Sequence, residues 1–591
     1  MMPIAAEAHL PPRIVFGLFL ACSVLHLGGC ASDGDAIDRR INEIVRGRSD
    51  TLGPSSLSPS RLPPRSADVA RNASTETSPK SVNPDVAELT YNPADEARDV
   101  AARLERYSDA SSVAANDSDA LRIDLSESFR IGQRSAREFM TAEEQYILSA
   151  IRLLIEEHNW SPRLFNDTST RISGNGDAGR FDHAARIINT LRATQRIPSG
   201  GSVEAAWIWD ATEQLREQTT QRYTQASRLT LGGNIPLLRG AGEAARESLI
   251  QAKRTLVYDA RDFERFRRRF LVGIARDYFA LVQTLSSIQN QERSLKSSES
   301  FASGQLARVE AGRIPAFAAN IAENQVLTAR ASLASLREQY ILQLDRFKVR
   351  LGLGIDSKLT LAPIAFEVAE PDISLEEATK RALEYRLDLQ NQRDKLEDSR
   401  RSVANARNEL LPSLNADASV GIPTPPDESQ GGVAFSVDDL NYSAGLTLSL
   451  PLDREQERLR LRSAIIGAQS QARAVDEARD NIVVSVRSAV RGIDLARFRL
   501  RLAEQQVEIN KRRLEEQNLK IDTVNPKDIV DSENELLSAE NARDQAKTDL
   551  RNSVLNYLLE SDQLRVNRDG TFQPLPGMVP VQANAQPNPT P

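Results

Sequence analysis

Aromatic residues make up only 5% of this 591-residue chain, which holds four His and two Cys. So few His and Cys, none of them clustered, leave little material for a zinc or haem site, and no cofactor is expected. Scarce aromatics beside long stretches of Ala, Leu, Arg, Glu and Gln favour extended helices over a thick globular core. A basic excess is also missing. The 75 basic and 82 acidic residues leave a net charge of −7, which argues against binding nucleic acid by backbone neutralisation. Walker A, HExxH and nucleophile-elbow motifs are absent. Gly174–Gly179 spells GxGxxG without a preceding apolar strand or the later acid, and reads as a flexible loop.

No cytoplasmic start is apparent. Arg13 precedes the apolar run Ile14–Leu25, the length of a signal-peptide core and too short to span a bilayer. The run ends in Leu27-Gly28-Gly29-Cys30, which resembles a bacterial lipobox. That resemblance implies removal of residues 1–29 and lipidation of Cys30. It also implies sorting to the outer membrane, because Ala31 rather than Asp follows. Several acyl chains anchor far more firmly than one. Cys22 leaves with the signal, so the mature chain has no disulfide and must rely on packing or oligomerisation.

Residues 30–120 carry scattered Pro, many Ser and Asp, and few large apolar side chains. They read as a lipid-anchored, mostly disordered linker. The Pro-rich tail 566–591 reads the same way.

Between them the chain repeats. Leu125, Phe139 and Pro162 match Leu375, Leu389 and Pro412 at an offset of 250. Pro236 matches Pro451, and Pro315 matches Pro526, at offsets of 215 and 211. A period this long is a duplicated domain, 121–363 and 364–565, rather than a solenoid. The stretches Ala241–Ala311 and Arg454–Ile521 would make helices of ~107 and ~102 Å. Leu125–His158, Pro315–Leu351, Glu376–Leu411 and Pro526–Glu560 would make helices of ~51–56 Å, two of which match one long helix. Ile482, Val486, Ala489, Ile493, Ala496, Leu500, Ala503 and Val507 form a heptad seam. Leu249, Leu256, Phe263 and Phe270 recur at sevens. Ala on the seam permits the close packing of a helix with two neighbours in a cylinder wall.

Strands alternate at period two. Tyr442, Ala444, Leu446, Leu448 and Leu450 alternate with Ser443, Gly445, Thr447 and Ser449. Leu414–Ile422 and Leu229–Ile235 do likewise. This pattern fits a half-buried soluble sheet or a barrel with lipid outside and water inside. The chain has no spare apolar layer for a soluble sheet, which favours the barrel, and two strands per half cannot close one without further protomers. The first repeat carries about 35 extra residues, a hairpin near 186–211 with Trp207 and Trp209. Two more barrel strands or an extracellular hairpin both fit it.

Lipobox, duplicated strand–helix units, long helices and sparse strands together resemble the TolC-type outer-membrane efflux proteins. Ile235-Pro236-Leu237-Leu238-Arg239-Gly240 and Ser374-Leu375-Glu376-Glu377-Ala378 match local phrases of that family. The resemblance covers roughly 121–565. It implies a mainly α fold with a small membrane β-barrel, formed by a homotrimer and continued by a long periplasmic helical barrel. The function implied is a passive, non-enzymatic duct of a tripartite efflux or type I secretion system. Its partners would be a periplasmic adaptor, an inner-membrane pump of RND, ABC or MFS type, and outer-membrane lipid. The tips Gly312-Arg313 and Thr523-Val524 would dock the adaptor. Asp528 and Asp531 resemble the family's paired aspartates at the tunnel entrance. Three residues apart, they share a helix face, and in a trimer they would form two carboxylate rings that attract cations. Asp528 also sits at N3 behind a good N-cap, Asn525, where a carboxylate favours the helix dipole. Val524 replaces the basic gate residue of some relatives, and Ala318 stands where an acidic partner might. The alternative is a structural periplasmic coiled-coil lipoprotein without a pore, for which amphipathic strands have no use.

Overall fold

The structure, a computed structural model, describes residues 34–59, 121–177, 180–214, 223–362, 374–426, 432–520, 524–568, 570 and 572. Two capping residues, one per repeat, open its helical part. The Asp124 carboxylate accepts from Glu127 N–H at 2.7 Å and starts α2 (Leu125–Ser135). The Ser374 hydroxyl accepts from Glu377 N–H at 3.3 Å and starts α6 (Leu375–Tyr385). Such a bond satisfies a donor that a helix start leaves unpaired. Each helix breaks at one residue with extended backbone, Ala136 (ψ 125°) and Arg386 (ψ 117°). The chain then enters α3 (Arg137–Asn159) and α7 (Leu387–Glu409). The single helices expected over Leu125–His158 and Glu376–Leu411 are therefore two each.

The long helices are α4 (Glu247–Glu310, 64 residues) and α8 (Glu455–Leu519, 65 residues), ~96–98 Å at 1.5 Å per residue. Their shorter companions are α5 (Ala316–Leu351) and α9 (Pro526–Glu560). α3 and α5 lie along α4, and α7 and α9 along α8. The short helices do stack end to end, and the breaks are where they meet. Gly352, left-handed at φ 74°, caps α5 so tightly that a Cβ there would overlap the Ser135 carbonyl oxygen. In the second repeat an ion pair takes that place, Arg386 Nη1 on Glu560 Oε2 at 2.8 Å. Parallel strands β1 (Leu121–Ile123) and β6 (Leu359–Leu361) cross beside this level.

The few aromatics concentrate there. Phe139 packs on Phe263, Phe266 and Phe270 with ring centroids 5.5–6.3 Å apart. Tyr146 stacks on Phe263 at 5.8 Å. The core joins both repeats, since Ala378, Leu389, Ile482, Val486, Ile493 and Val554 belong to it. The predicted α8 seam is buried through Ala496 and half-buried from Leu500 on.

Two expectations fail at the chain ends. Within the expected linker, Gly34–Asp50 forms a helix, α1, whose Ile41 and Val45 are buried in the core. The spacing of Ile37, Ile41, Ile44 and Val45 is that of an amphipathic helix. Residues 60–120 lie outside the described residues. The start of the expected tail is also fixed, because Val566 bridges Phe572, whose ring sits 4.9 Å from Phe129.

Among the described residues, one six-stranded antiparallel sheet carries all the remaining strands, in the order β2-β3-β4-β5-β7-β8. They are β2 (Arg163–Asp177), β3 (Arg180–Arg196), β4 (Ser202–Gln214), β5 (Tyr223–Pro236), β7 (Ser413–Pro423) and β8 (Asn441–Ser449). The extra hairpin of the first repeat is thus β3 and β4, inside the sheet. Gly174–Asp177, read as loop, continues β2.

Candidate functional site

The sheet separates its side chains by charge. Leu164, Leu191, Trp207, Leu229, Val420 and Tyr442 share one face, fixed by the register of directly opposed pairs. Asp167, Arg171, Arg186, Arg192, Asp210, Arg228 and Asp417 alternate with them and take the other face. The apolar face is exposed, with Tyr442 at 81% and Leu446 at 71%. On the charged face Arg192 pairs with Asp167 at 3.2 Å, and Arg186 pairs with Asp210 across strands. Exposed apolar side chains on one face and paired charges on the other suit lipid outside and water inside. Among the described residues, no helix is long and apolar enough to cross a membrane.

The opposite end of the molecule holds the two helix–turn–helix tips. Gly312, left-handed at φ 71°, ends α4 with its N–H on Val309 O at 2.9 Å, and Arg313 N–H reaches Arg308 O at 2.9 Å. These bonds satisfy carbonyls that the helix end leaves open. Gly312 and Arg313 are exposed, and Pro315 stands at the N-cap of α5 rather than inside it. At the second tip Asn525 Oδ1 accepts from Lys527 N–H at 3.0 Å, with Pro526 at N1, as the sequence predicts. Gln325 of α5 bonds Asn534 of α9 at 2.7 Å, so both tips share one end of the bundle. Val524 is half-buried beside the turn, and Thr523 lies outside the described residues, as does Cys30.

Asp528 and Asp531 are exposed on α9, whereas Ile529, Val530, Ser532 and Glu533 are buried. The two aspartates lie away from α4, against which Glu533 packs. Their carboxylates are therefore open to solvent in the single chain. Ala318 is buried.

Sequence reading missed Glu533, two positions beyond Asp531. Its Oε1 accepts from Ser297 Oγ at 2.6 Å, while its Oε2 is buried without a hydrogen bond. Burial pushes this carboxyl above the ordinary glutamate range, and the Ser297 hydroxyl pulls it back in part. A raised folded-state pKa means that stability is full below the unfolded pKa and lost as pH rises through the folded one. Glu533→Gln is expected to stabilise the protein by on the order of 1 kcal/mol at pH 8, and by nothing near pH 4. Melting curves at the two pH values check this, and destabilisation at pH 8 would refute it.

A sheet with one lipid-suited face joined to helices of about 100 Å defines a class, the outer-membrane channel with a helical extension. Residues 378–520 match the family described as outer membrane efflux protein. The structure resembles that of the CmeC outer membrane channel of Campylobacter jejuni, with a TM-score of 0.57, 14% identity, and coverage of 76% of this chain and 86% of that one. For the outer membrane protein VceC of Vibrio cholerae the values are 0.58, 14%, 74% and 95%. For the open state of the MtrE outer membrane channel of Neisseria gonorrhoeae they are 0.53, 16%, 76% and 90%. No curated relative matches the sequence. Residues 378–520 thus carry an outer membrane efflux protein domain, and the chain as a whole has the fold of these outer-membrane channels.

Proposed function

We propose that three copies of this chain form a passive duct through the outer membrane and periplasm, working in a tripartite efflux or type I secretion system. The duct performs no reaction, and its energy comes from an inner-membrane pump. The observation that carries this reading is the sheet. It has an exposed apolar face and two free edge strands, β2 and β8. Free edges and lipid are compatible only when the sheet closes. The helices support it too. Leu495, Leu502 and Ile509 on α8 recur at sevens and are 49%, 49% and 59% exposed, a second seam ready for a neighbouring helix. A periplasmic spacer has no use for this sheet. Native mass spectrometry in detergent should return three copies per particle, and a monomer contradicts the reading.

Gly312, Arg313, Thr523 and Val524 are the surface for a periplasmic adaptor, since both tips lie at the end remote from the sheet. Asp528 and Asp531 line the entrance to the tunnel.

Cys30 is the lipid anchor. Val45 O and Ser49 meet Tyr146 at the level of Phe263, and Ser55 O meets Arg267, one helical turn further from the sheet. The N-terminus of α1 therefore lies toward the sheet. The four residues from Cys30 to Gly34 span at most ~14 Å, so the anchor belongs near the membrane surface. Cys30→Ala is expected to abolish palmitate incorporation and slow delivery, while the sheet still inserts. Persistent palmitate labelling of the variant would overturn the assignment.

A further inference from the structure

We infer that the outer-membrane end closes as an 18-stranded barrel, six strands from each of three copies, with β2 of one copy paired to β8 of the next. This rests on the trimeric duct proposed above and gives its exit a size. Three observations carry it.

The first is that β3 and β4 are built into the wall. β3 is paired along its length to β2, and β4 to β5. Their connecting turn is clamped from the helix side. Gly242 N–H donates to Ser199 O at 2.9 Å, and Gly201, at φ 85°, lies so close to β5 that a Cβ would overlap the Asn234 carbonyl oxygen. An extracellular hairpin would place this turn at the opposite end.

The second is direction. β2 leaves the helices and β8 returns to them, with strict antiparallel alternation between. Edges of opposite direction let identical copies join antiparallel without interruption, and closure removes every edge.

The third is stagger. The row of opposed residues Leu164, Ala193, Ala205, Leu231, Val420 and Tyr442 crosses the whole sheet. It begins beside Arg163, at the helix-side end of β2, and finishes at the far end of β8, whose helix-side end is Ser449. The climb is about one residue per strand, or a tilt of ~35–40° at ~3.3 Å rise and ~4.8 Å strand spacing, which is the tilt of a closed barrel. With that spacing and tilt, 18 strands give a backbone diameter of about 35 Å, against about 24 Å for the 12 left without β3 and β4. Sheets of 16–18 strands leave an aqueous channel. The added strands line it with the paired charges Arg186–Asp210 and with Arg192, which pairs with Asp167 of β2.

Single-cysteine variants along β3 and β4, treated in outer membranes with a membrane-impermeant maleimide, test this. The background carries Cys22→Ala and Cys30→Ala, so that no other cysteine remains whether or not the signal is removed. Thr190→Cys, Arg192→Cys, Ala206→Cys and Ile208→Cys should label, and Leu191→Cys, Ala193→Cys, Ala205→Cys and Trp207→Cys should not. Electron microscopy of the trimer in nanodiscs should show a ring near 35 Å. Labelling of both faces in an intact trimer, with a narrower ring, overturns the 18-stranded exit and leaves the duct standing. A particle that is not a channel-forming trimer overturns both.

Discussion

Replacing Arg267 with alanine is expected to unfasten both ends of the chain from the bundle. Its side chain is fully buried and donates to Glu264 Oε2 at 3.0 Å, Ser55 O at 3.1 Å, Val566 O at 3.1 Å and Asn567 O. One guanidinium thus holds the segment after α1 and the segment after α9 against α4. Truncation removes the shared donor and leaves buried acceptors open. Removing one partner of a buried pair costs about 3–5 kcal/mol. Glu264 keeps Arg268, which itself reaches Asp562 at 2.9 Å, so the bundle persists while its ends loosen. Limited proteolysis and hydrogen exchange should show residues 34–59 and 564–572 opening first. Arg269→Ala, at an exposed position, should stay within about 0.5 kcal/mol of wild type. Unchanged protection in Arg267→Ala would mean that the ends are held by apolar contacts alone.

Asp528→Asn combined with Asp531→Asn is expected to weaken cation selectivity. It should also reduce block by divalent or trivalent cations from the periplasmic side by about tenfold or more, the lower range of enrichment in a charged cleft. In the proposed trimer, three copies would place six carboxylates around one narrow entrance, where like charges reinforce one potential. Asp531→Asn alone separates this from the helix-end effect, since it removes one ring and keeps the Asp528 carboxylate at N3, whose favourable charge is worth roughly 0.3–1 kcal/mol of stability. Single-channel selectivity and block measured with the double variant decide the matter. If both stay at wild-type values, the aspartates are ordinary helix-terminus residues.

Much of the architecture is legible in periodicity. The Phe263–Phe270 heptad and the Ile482–Ala496 seam are buried where their spacing places them, because a helix face must bury its apolar stripe somewhere. Asn525 and Pro526 mark a helix start through local chemistry, and the structure keeps it. The illegible parts depend on distant contacts. Nothing local breaks the helix at Ala136, which is neither Gly nor Pro. The break follows from the end of α5 arriving at Ser135 from a different stretch of chain. α1 was hidden by its Pro- and Ser-rich surroundings, although Ile41 and Val45 carry its signal. Arg267, one turn beyond Phe263 on the same face, reads as an ordinary charge until Val566 and Asn567 arrive beside it. Glu533 looks like the other acids of α9, and only the approach of α4 buries it.

The duct itself is tested most directly by adding purified, full-length protein to a planar lipid bilayer and recording current. Discrete, uniform conductance steps are expected from the trimeric fraction, with cation preference and with block stronger from the side that the helical tips face. Membrane-associated protein that never produces steps, at any voltage or salt concentration, would contradict the duct and return the chain to the role of a structural lipoprotein.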